Sequence, residues 1–485
     1  VERIEDQAYA LVVAGSGFAS SFFLHEWLRH APSDARVLVI ERGQFFPHTW
    51  QVEHDRNSDL PIDRTYRRDG LASKGWVFTV AFGGGSNCWT GCTPRMLPSD
   101  FEMQSRYGVG LDWPLTYDDL EPFYCEAEAI MAVSGPEDYS LSHRGSRFPQ
   151  PPHRLCEPEA VLSSAYPGLY YPQATARARA PVGVRPACCG SAVCKICPMN
   201  AKFTIENSML HVYRDARVSV LLGHEVVRLE LEGGRLNGVI CQGARGEHKA
   251  LCDLAALGAN AIFNPAILLR SGLSHPRLGT RLHEQISTAV EFDLKGMTNF
   301  QGSTLVTGQG YMFYDGPQRR EYGGCLTEFI NDPRSLLRHE FGRWTERAKL
   351  NFIVEDLPLE ENRVALDPDG MPVAEFVRYS DYGLRGLQKV REYVDQLAAL
   401  LPVEAIRFES ESGARLVPRF SEKHIQGTVI MGRSPEDSVV DRNLVHHSLR
   451  NLVVLGSSSF PTGAPANPTL TLCALSLMSA RSLWE

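Results

Sequence analysis

Ala10-Leu11-Val12-Val13-Ala14-Gly15-Ser16-Gly17-Phe18-Ala19-Ser20 begins a unit that continues to Arg36-Val37-Leu38-Val39-Ile40-Glu41-Arg42-Gly43. The apolar run 10–14 predicts a strand, the glycines a turn, and the segment through His30 a helix. The second apolar run predicts another strand, which ends on an acid. Strand, glycine turn, helix, strand and acid within about 30 residues is the order of a dinucleotide-binding βαβ unit. Gly15 and Gly17 let the backbone approach a pyrophosphate that rests on the helix N-terminus. Glu41 is placed to take ribose hydroxyls, with Arg42 beside it. Ser20 replaces the third glycine of the usual pattern.

Further along, Gly83-Gly84-Gly85-Ser86-Asn87-Cys88 follows the apolar run Val77 to Phe82. Three glycines in a row suit neither a helix nor a strand interior. Between apolar flanks they predict a backbone passing close to a buried ligand. A helix is expected from about Thr116, and 136–187 is a long excursion rich in proline, serine and arginine. Strand-like alternation marks 218–222, 226–231 and 239–241, then a strand, a turn at Gly258-Ala259 and a helix to Ser271. Residues 286–415 alternate as strands around one expected helix, Tyr382 to Leu401. The tail carries His424 in a loop, a strand 451–455, a turn at Gly456-Ser457-Ser458 and a helix from about Asn467.

The composition excludes several classes. With 485 residues, 43% of them hydrophobic and 22% charged, the chain is an ordinary globular protein rather than a disordered one. Lysine and arginine number 49 against 57 acids, net charge −8, which gives no footprint for nucleic acid. No apolar run reaches the roughly 18 residues of a membrane span. Val1 to Tyr9 lacks the basic start of an export signal. Four of twelve cysteines fall within ten residues: Cys188, Cys189, Cys194 and Cys197. Crowding of this kind in a large chain points to a metal or cluster, and the spacing alone leaves iron–sulfur, zinc and disulfides open.

Together these segments resemble the glucose-methanol-choline (GMC) family of FAD oxidoreductases. The resemblance is carried by the N-terminal unit ending at Glu41-Arg42-Gly43; by Gly83 to Phe101 with Trp89, Pro94, Arg95 and Asp100; by Tyr107 to Tyr124, including Asp112-Trp113-Pro114-Leu115-Thr116; and by His424-Ile425-Gln426-Gly427-Thr428 through Asn467-Pro468-Thr469. It implies an α/β fold, with a Rossmann-like FAD-binding domain and a second α+β substrate domain built on an antiparallel sheet. The FAD domain is expected to be discontinuous, residues 1–285 with 416–485, its 136–206 excursion bearing the cysteines. The substrate domain is expected over 286–415. The FAD-binding residues implied are Gly15, Gly17, Ser20, Glu41, Arg42, Gly84, Gly85, Asn87, Cys88, Val226, Gly258, Ser457, Pro468 and Thr469.

The resemblance makes His424 the general base for an alcohol and Asn467 the amide holding the substrate oxygen. Cys88 stands where some relatives bond a histidine to the flavin; a thioether from Cys88 stays open, and a non-covalent flavin is the expectation. Gln285 occupies a position near His283 where relatives carry a histidine; neither is given a role. Arg185-Pro186-Ala187-Cys188-Cys189-Gly190 with Cys194 and Cys197-Pro198 resembles the bacterial glucose, gluconate and fructose dehydrogenases, as does Leu357-Pro358 to Val364. That branch implies a 3Fe–4S cluster on Cys188, Cys189 and Cys194, or a 4Fe–4S cluster if Cys197 joins. It also implies a sugar or polyol substrate, a small companion subunit that brings the export signal, and a cytochrome c or quinone-linked acceptor. The location is then the periplasmic side of the inner membrane, and otherwise the cytoplasm. The rivals are an oxidase that uses oxygen and a non-catalytic electron-transfer subunit.

Overall fold

The computed structural model describes residues 8–299, 304–331 and 343–485. Residues 1–7, read above for an export signal, and 300–303 and 332–342 within the 286–415 segment lie outside the described residues.

The N-terminal unit forms as its pattern dictates. Ala8–Ala14 is a strand, Phe18–His30 a helix and Val37–Glu41 a second strand, paired parallel to the first from Leu11↔Val37 to Ala14↔Ile40. Leu11 to Ala14 and Val37 to Glu41 are all buried, as central parallel strands covered on both faces should be. The sheet has seven strands. Six run in the order 218–222, 37–41, 8–14, 246–257, 235–243, 225–232, and Leu452–Val454 pairs with the second half of Gly246–Leu257. That long strand changes partners along its length. Its first half pairs antiparallel with Arg235–Gly243, and its end lies between Ala8–Ala14 and Leu452–Val454. Ala8–Ala14 and Leu452–Val454, far apart in sequence, thus flank the same strand, and the C-terminal helix Thr469–Ser482 packs on helix Phe18–His30.

The second sheet has six strands, in the order 403–408, 286–294, 347–354, 325–330, 306–313, 170–172, all paired antiparallel. Its outermost strand, Tyr170–Pro172, comes from the excursion rather than from 286–415. The amphipathic helix Asp381–Ala398 covers one face, where Leu387, Val390, Val394 and Leu397 are buried. A three-stranded sheet joins Arg67–Gly70 to Pro372–Phe376 and Arg363–Leu366. The final helix starts at Thr469, two residues after the expected start. Among the described residues no helix is long and apolar enough to cross a membrane.

Ser20 explains itself in the packing. Its Oγ lies against Gly258, where an added Cβ would strike it, and a Cβ on Gly15 would come within 2.8 Å of Gly258 O. Helix and turn therefore close on each other through a serine where a glycine is usual. Gly258→Ala is expected to cost about 1–3 kcal/mol by overpacking. Adding Ser20→Ala should recover part of that loss, as read from thermal unfolding midpoints of the single and double variants.

Candidate active site

A cavity of about 1200 Å³ runs between the two sheets. That exceeds the roughly 300–1,000 Å³ of ordinary small-ligand sites, which leaves room for a dinucleotide and a substrate together. Its lining includes Gly15, Gly17, Glu41, Arg42, Gly84, Gly85, Cys88, Val226, Gly258, Ser457, Pro468 and Thr469, with His424 and Asn467. Ser20 and Asn87 are not part of the lining. Ser20 sits in the helix–turn contact, and Asn87 holds the glycine turn from behind by donating to Phe82 O at 2.8 Å.

Several features of the wall suit a dinucleotide. Helix Phe18–His30 has Gly17 as its N-cap with no side-chain cap and no acid in its first turn, so its N–H groups face the cavity end unspent. Gly17 and Gly85 have open space where a Cβ would stand. Gly83 and Gly84 adopt φ of +84° and +47°, conformations that L residues rarely take. Glu41 accepts from Ser16 N, Ser16 Oγ and Gly43 N at 2.7–3.0 Å, and burial raises its pKa. Arg42 pairs with Glu225 at 3.1 Å, yet its Nη1 is buried without a partner. An orphaned guanidinium nitrogen beside a glycine cradle fits an anionic or ribose-bearing ligand.

At the other end of the cavity two consecutive residues hold one histidine. Glu284 accepts from Glu422 N at 3.0 Å, His424 N at 3.1 Å and Ser421 Oγ at 3.2 Å, and it is paired with Lys74. Both partners of this ion pair have side chains 1% exposed. Gln285 holds the ring. Its Nε2 donates to Ala464 O at 2.8 Å and Ala466 O at 3.0 Å, which turns Oε1 to His424 Nδ1 at 3.0 Å. An oxygen there accepts only, so Nδ1 carries the proton and Nε2 keeps its lone pair. Burial, helped by Lys423, lowers the His424 pKa to about 3, so the ring is neutral at ordinary pH. Asn467, 7% exposed, lies beside Glu328, and its Oδ1 has no partner. Burial raises the Glu328 pKa to about 7, with Glu422 adding to the effect.

Sequence reading missed Glu284, Gln285, Lys74 and Glu328. Only the adjacency of Glu284-Gln285 to the His283 segment hinted at the first two.

The cysteines do not gather as expected. Among the described residues no group of three or more His, Cys, Asp or Glu side chains is disposed to hold a metal ion. Cys194 is buried, Cys188 and Cys197 are half-buried, and Cys189 is exposed. Cys194 turns to the buried Arg177, whose Nη1 lies 3.7 Å from its Sγ and whose charge lowers the thiol pKa against the opposing effect of burial. No member of this set lines the cavity. The arrangement does not fit an iron–sulfur cluster.

Sequence profiles described as GMC oxidoreductase match residues 167–287 and 358–476. The chain belongs to the GMC oxidoreductase family. As a GMC oxidoreductase it is an FAD-dependent enzyme acting on CH–OH groups. It is 25% identical to the fructose dehydrogenase large subunit of Gluconobacter japonicus over 98% of this chain and 97% of that one. It is 29% identical to 6'''-hydroxyparomomycin C oxidase of Streptomyces lividus, over 99% and 92%. Pyridoxine 4-oxidase from Mesorbium loti shares the fold with a TM-score of 0.67 at 18% identity, over 98% and 99%.

The buried ion pair makes a separate prediction. Lys74→Met leaves the Glu284 carboxylate buried without its cation, and a loss of about 3–5 kcal/mol is expected. The double variant Lys74→Met, Glu284→Gln should lose less than the two single variants summed, measured by urea unfolding of the holoenzyme.

Proposed function

We propose that this GMC oxidoreductase is a dehydrogenase of a sugar or polyol hydroxyl, with His424 as the base. The observation that carries this is the fixed tautomer of His424, whose free Nε2 belongs to a ring lining the cavity beside Asn467. Two relatives support the substrate class: one is named for fructose, the other for a hydroxyparomomycin. One is named a large subunit, which supports a companion chain here as well.

An alcohol carbon yields a hydride only as its O–H proton leaves. Bound in the cavity, FAD supplies the two-electron acceptor. His424 Nε2 takes the hydroxyl proton, and Gln285 keeps the ring from turning its N–H toward the substrate. With its amide nitrogen toward Glu328, Asn467 offers the substrate an oxygen rather than the expected N–H. The apolar walls at Val306, Ile330 and Leu305 exclude water from the carbinol.

A second reading, an oxidase that returns electrons to oxygen, is favoured by the name of the Streptomyces lividus relative. One experiment separates them. Purified holoprotein is mixed anaerobically with D-fructose, D-glucose or D-gluconate, its visible spectrum is followed, and iron and sulfide are assayed. Bleaching of the flavin by any of these supports sugar oxidation. Rapid recolouring in air marks the oxidase, whereas recolouring only with cytochrome c or a quinone marks the dehydrogenase. Absence of flavin bands overturns both.

His424→Ala is expected to slow bleaching about 10²–10⁴-fold at unchanged flavin content. Gln285→Leu should slow it by a smaller factor with little change in KM. A pKa near 3 means that proton uptake by His424 lies far below neutrality. Nitrogen-15 shifts of the labelled imidazole should therefore report the neutral Nδ1–H tautomer from pH 8 down to pH 5.

A further inference from the structure

One row across the sheet facing the cavity is wholly polar. Register places Asn351, Glu328 and Gln309 side by side on three adjacent strands. Glu328 and Asn351 line the cavity at the end that holds His424 and Asn467.

Glu328 is 5% exposed, and among the described residues no Lys or Arg nitrogen pairs with it within 4.0 Å. Arg177 is the guanidinium whose charge reaches it, but Arg177 spends its donors on Thr175 Oγ1, Gln173 Oε1 and Val306 O at 2.6–2.9 Å. Glu328 accepts from Gln173 Nε2 at 3.3 Å, and the neutral amides of Gln309 and Asn467 lie beside it. Beside it, Gln309 Nε2 and Asn467 Oδ1 are buried without partners. A carboxylate offers about four acceptor sites, and burying one unpaired is costly. Leucine in this row would cost nothing of the kind. The neighbours of Glu328 are neutral amides, and its remaining acceptor capacity lies on the cavity wall beside Asn467.

We propose that Glu328 anchors the substrate by accepting a hydrogen bond from a hydroxyl or ammonium group carried beside the carbinol that is oxidised. This rests on the reading of the site as one that oxidises sugars. In its ionised form Glu328 only accepts, so the partner it anchors is a donor. The arrangement selects polyhydroxylated or amino-substituted substrates over simple alcohols, which have no second donor.

The test compares wild type with Glu328→Gln and Glu328→Asp, each with flavin content and unfolding midpoint checked, so that Asp preserves the test if Gln fails to fold. Anaerobic bleaching is followed with D-fructose, D-glucose, D-glucosamine and 1-propanol. The expected result is a rise in KM of about ten- to a hundredfold for the sugar that reduces the wild type, with kcat changed far less. The preference for that sugar over 1-propanol should collapse by the same factor. A larger rise for D-glucosamine than for D-glucose identifies an ammonium donor, and an equal rise identifies a hydroxyl. If a sugar bleaches the wild type and neither variant shifts KM by more than twofold, the anchor is overturned while the sugar reading stands. If no sugar bleaches flavin-replete wild type, the sugar reading falls and the anchor with it.

Discussion

The Lys74–Glu284 pair is the point on which the active end of the cavity hangs. Residues 417–424 belong to no helix or strand, so their backbone groups have no ladder to satisfy them. One carboxylate collects two N–H groups and a hydroxyl from four consecutive positions, Ser421 to His424. Only an acceptor-rich anion gathers donors so densely, and only a buried cation makes that anion tolerable. Lys74 supplies the cation, donates also to Gly75 O at 3.1 Å, and lies 4.0 Å from the Trp76 ring centre. Lys423 takes a left-handed backbone with φ +68° inside the same turn. The turn is strained, and the carboxylate holds it.

Most of the fold was legible because its signals are local. The Ala10–Gly43 unit carries its strand, turn and helix in adjacent residues, and the glycine positions that define the cradle are conformational necessities. What stayed hidden depends on register between distant strands. Cys325-Leu326-Thr327-Glu328-Phe329-Ile330 falls in the segment read only as alternating strands, and nothing local says that the Glu328 face looks into a cavity. Gln285 stands out in sequence only by its place beside His283. Its role exists only because Ala464 and Ala466, some 180 positions away, fix the amide. Tyr170–Pro172 joining the second sheet is likewise a long-range pairing that no window of the chain announces.

The cysteine segment is the opposite case. Four thiols close in sequence invite a shared ligand, but closeness along the chain sets no direction for the side chains. Here the backbone gives Ala192 a left-handed conformation with φ +58° and Gly190 a φ of +66°, so the chain turns repeatedly between the thiols. Cys189 is carried outward while Cys194 is carried inward against Arg177. A guanidinium already supplies the electrostatic partner that a buried thiolate needs. Lys202, buried and with its pKa lowered to about 8 by burial, instead gives its donors to the carbonyls of Asn87, Trp89 and Lys195. It thereby ties the segment to the turn of Gly83 to Cys88. The excursion is thus fastened to the cavity wall by cations and carbonyls.

A histidine with a pKa near 3 looks too weak for the role proposed for it, and the chemistry of the step says why it would suffice. The hydroxyl proton need not leave a resting alcohol. It leaves as the C–H bond breaks, when the oxygen is becoming the oxygen of a protonated carbonyl, a far stronger acid than imidazolium. Basicity is then in surplus, and what limits the step is whether a lone pair points at the oxygen at that moment. A buried neutral imidazole provides that lone pair at every ordinary pH, without competition from a ring proton. The cost is that the ring must be held, because a neutral imidazole has no charge to orient it. Glu284 fixes its backbone and Gln285 its proton, and through Ala466 the same glutamine reaches the residue before Asn467. The two side chains proposed to meet the substrate are therefore set against each other by one amide, and the burial that weakens the proposed base is also what keeps it ready.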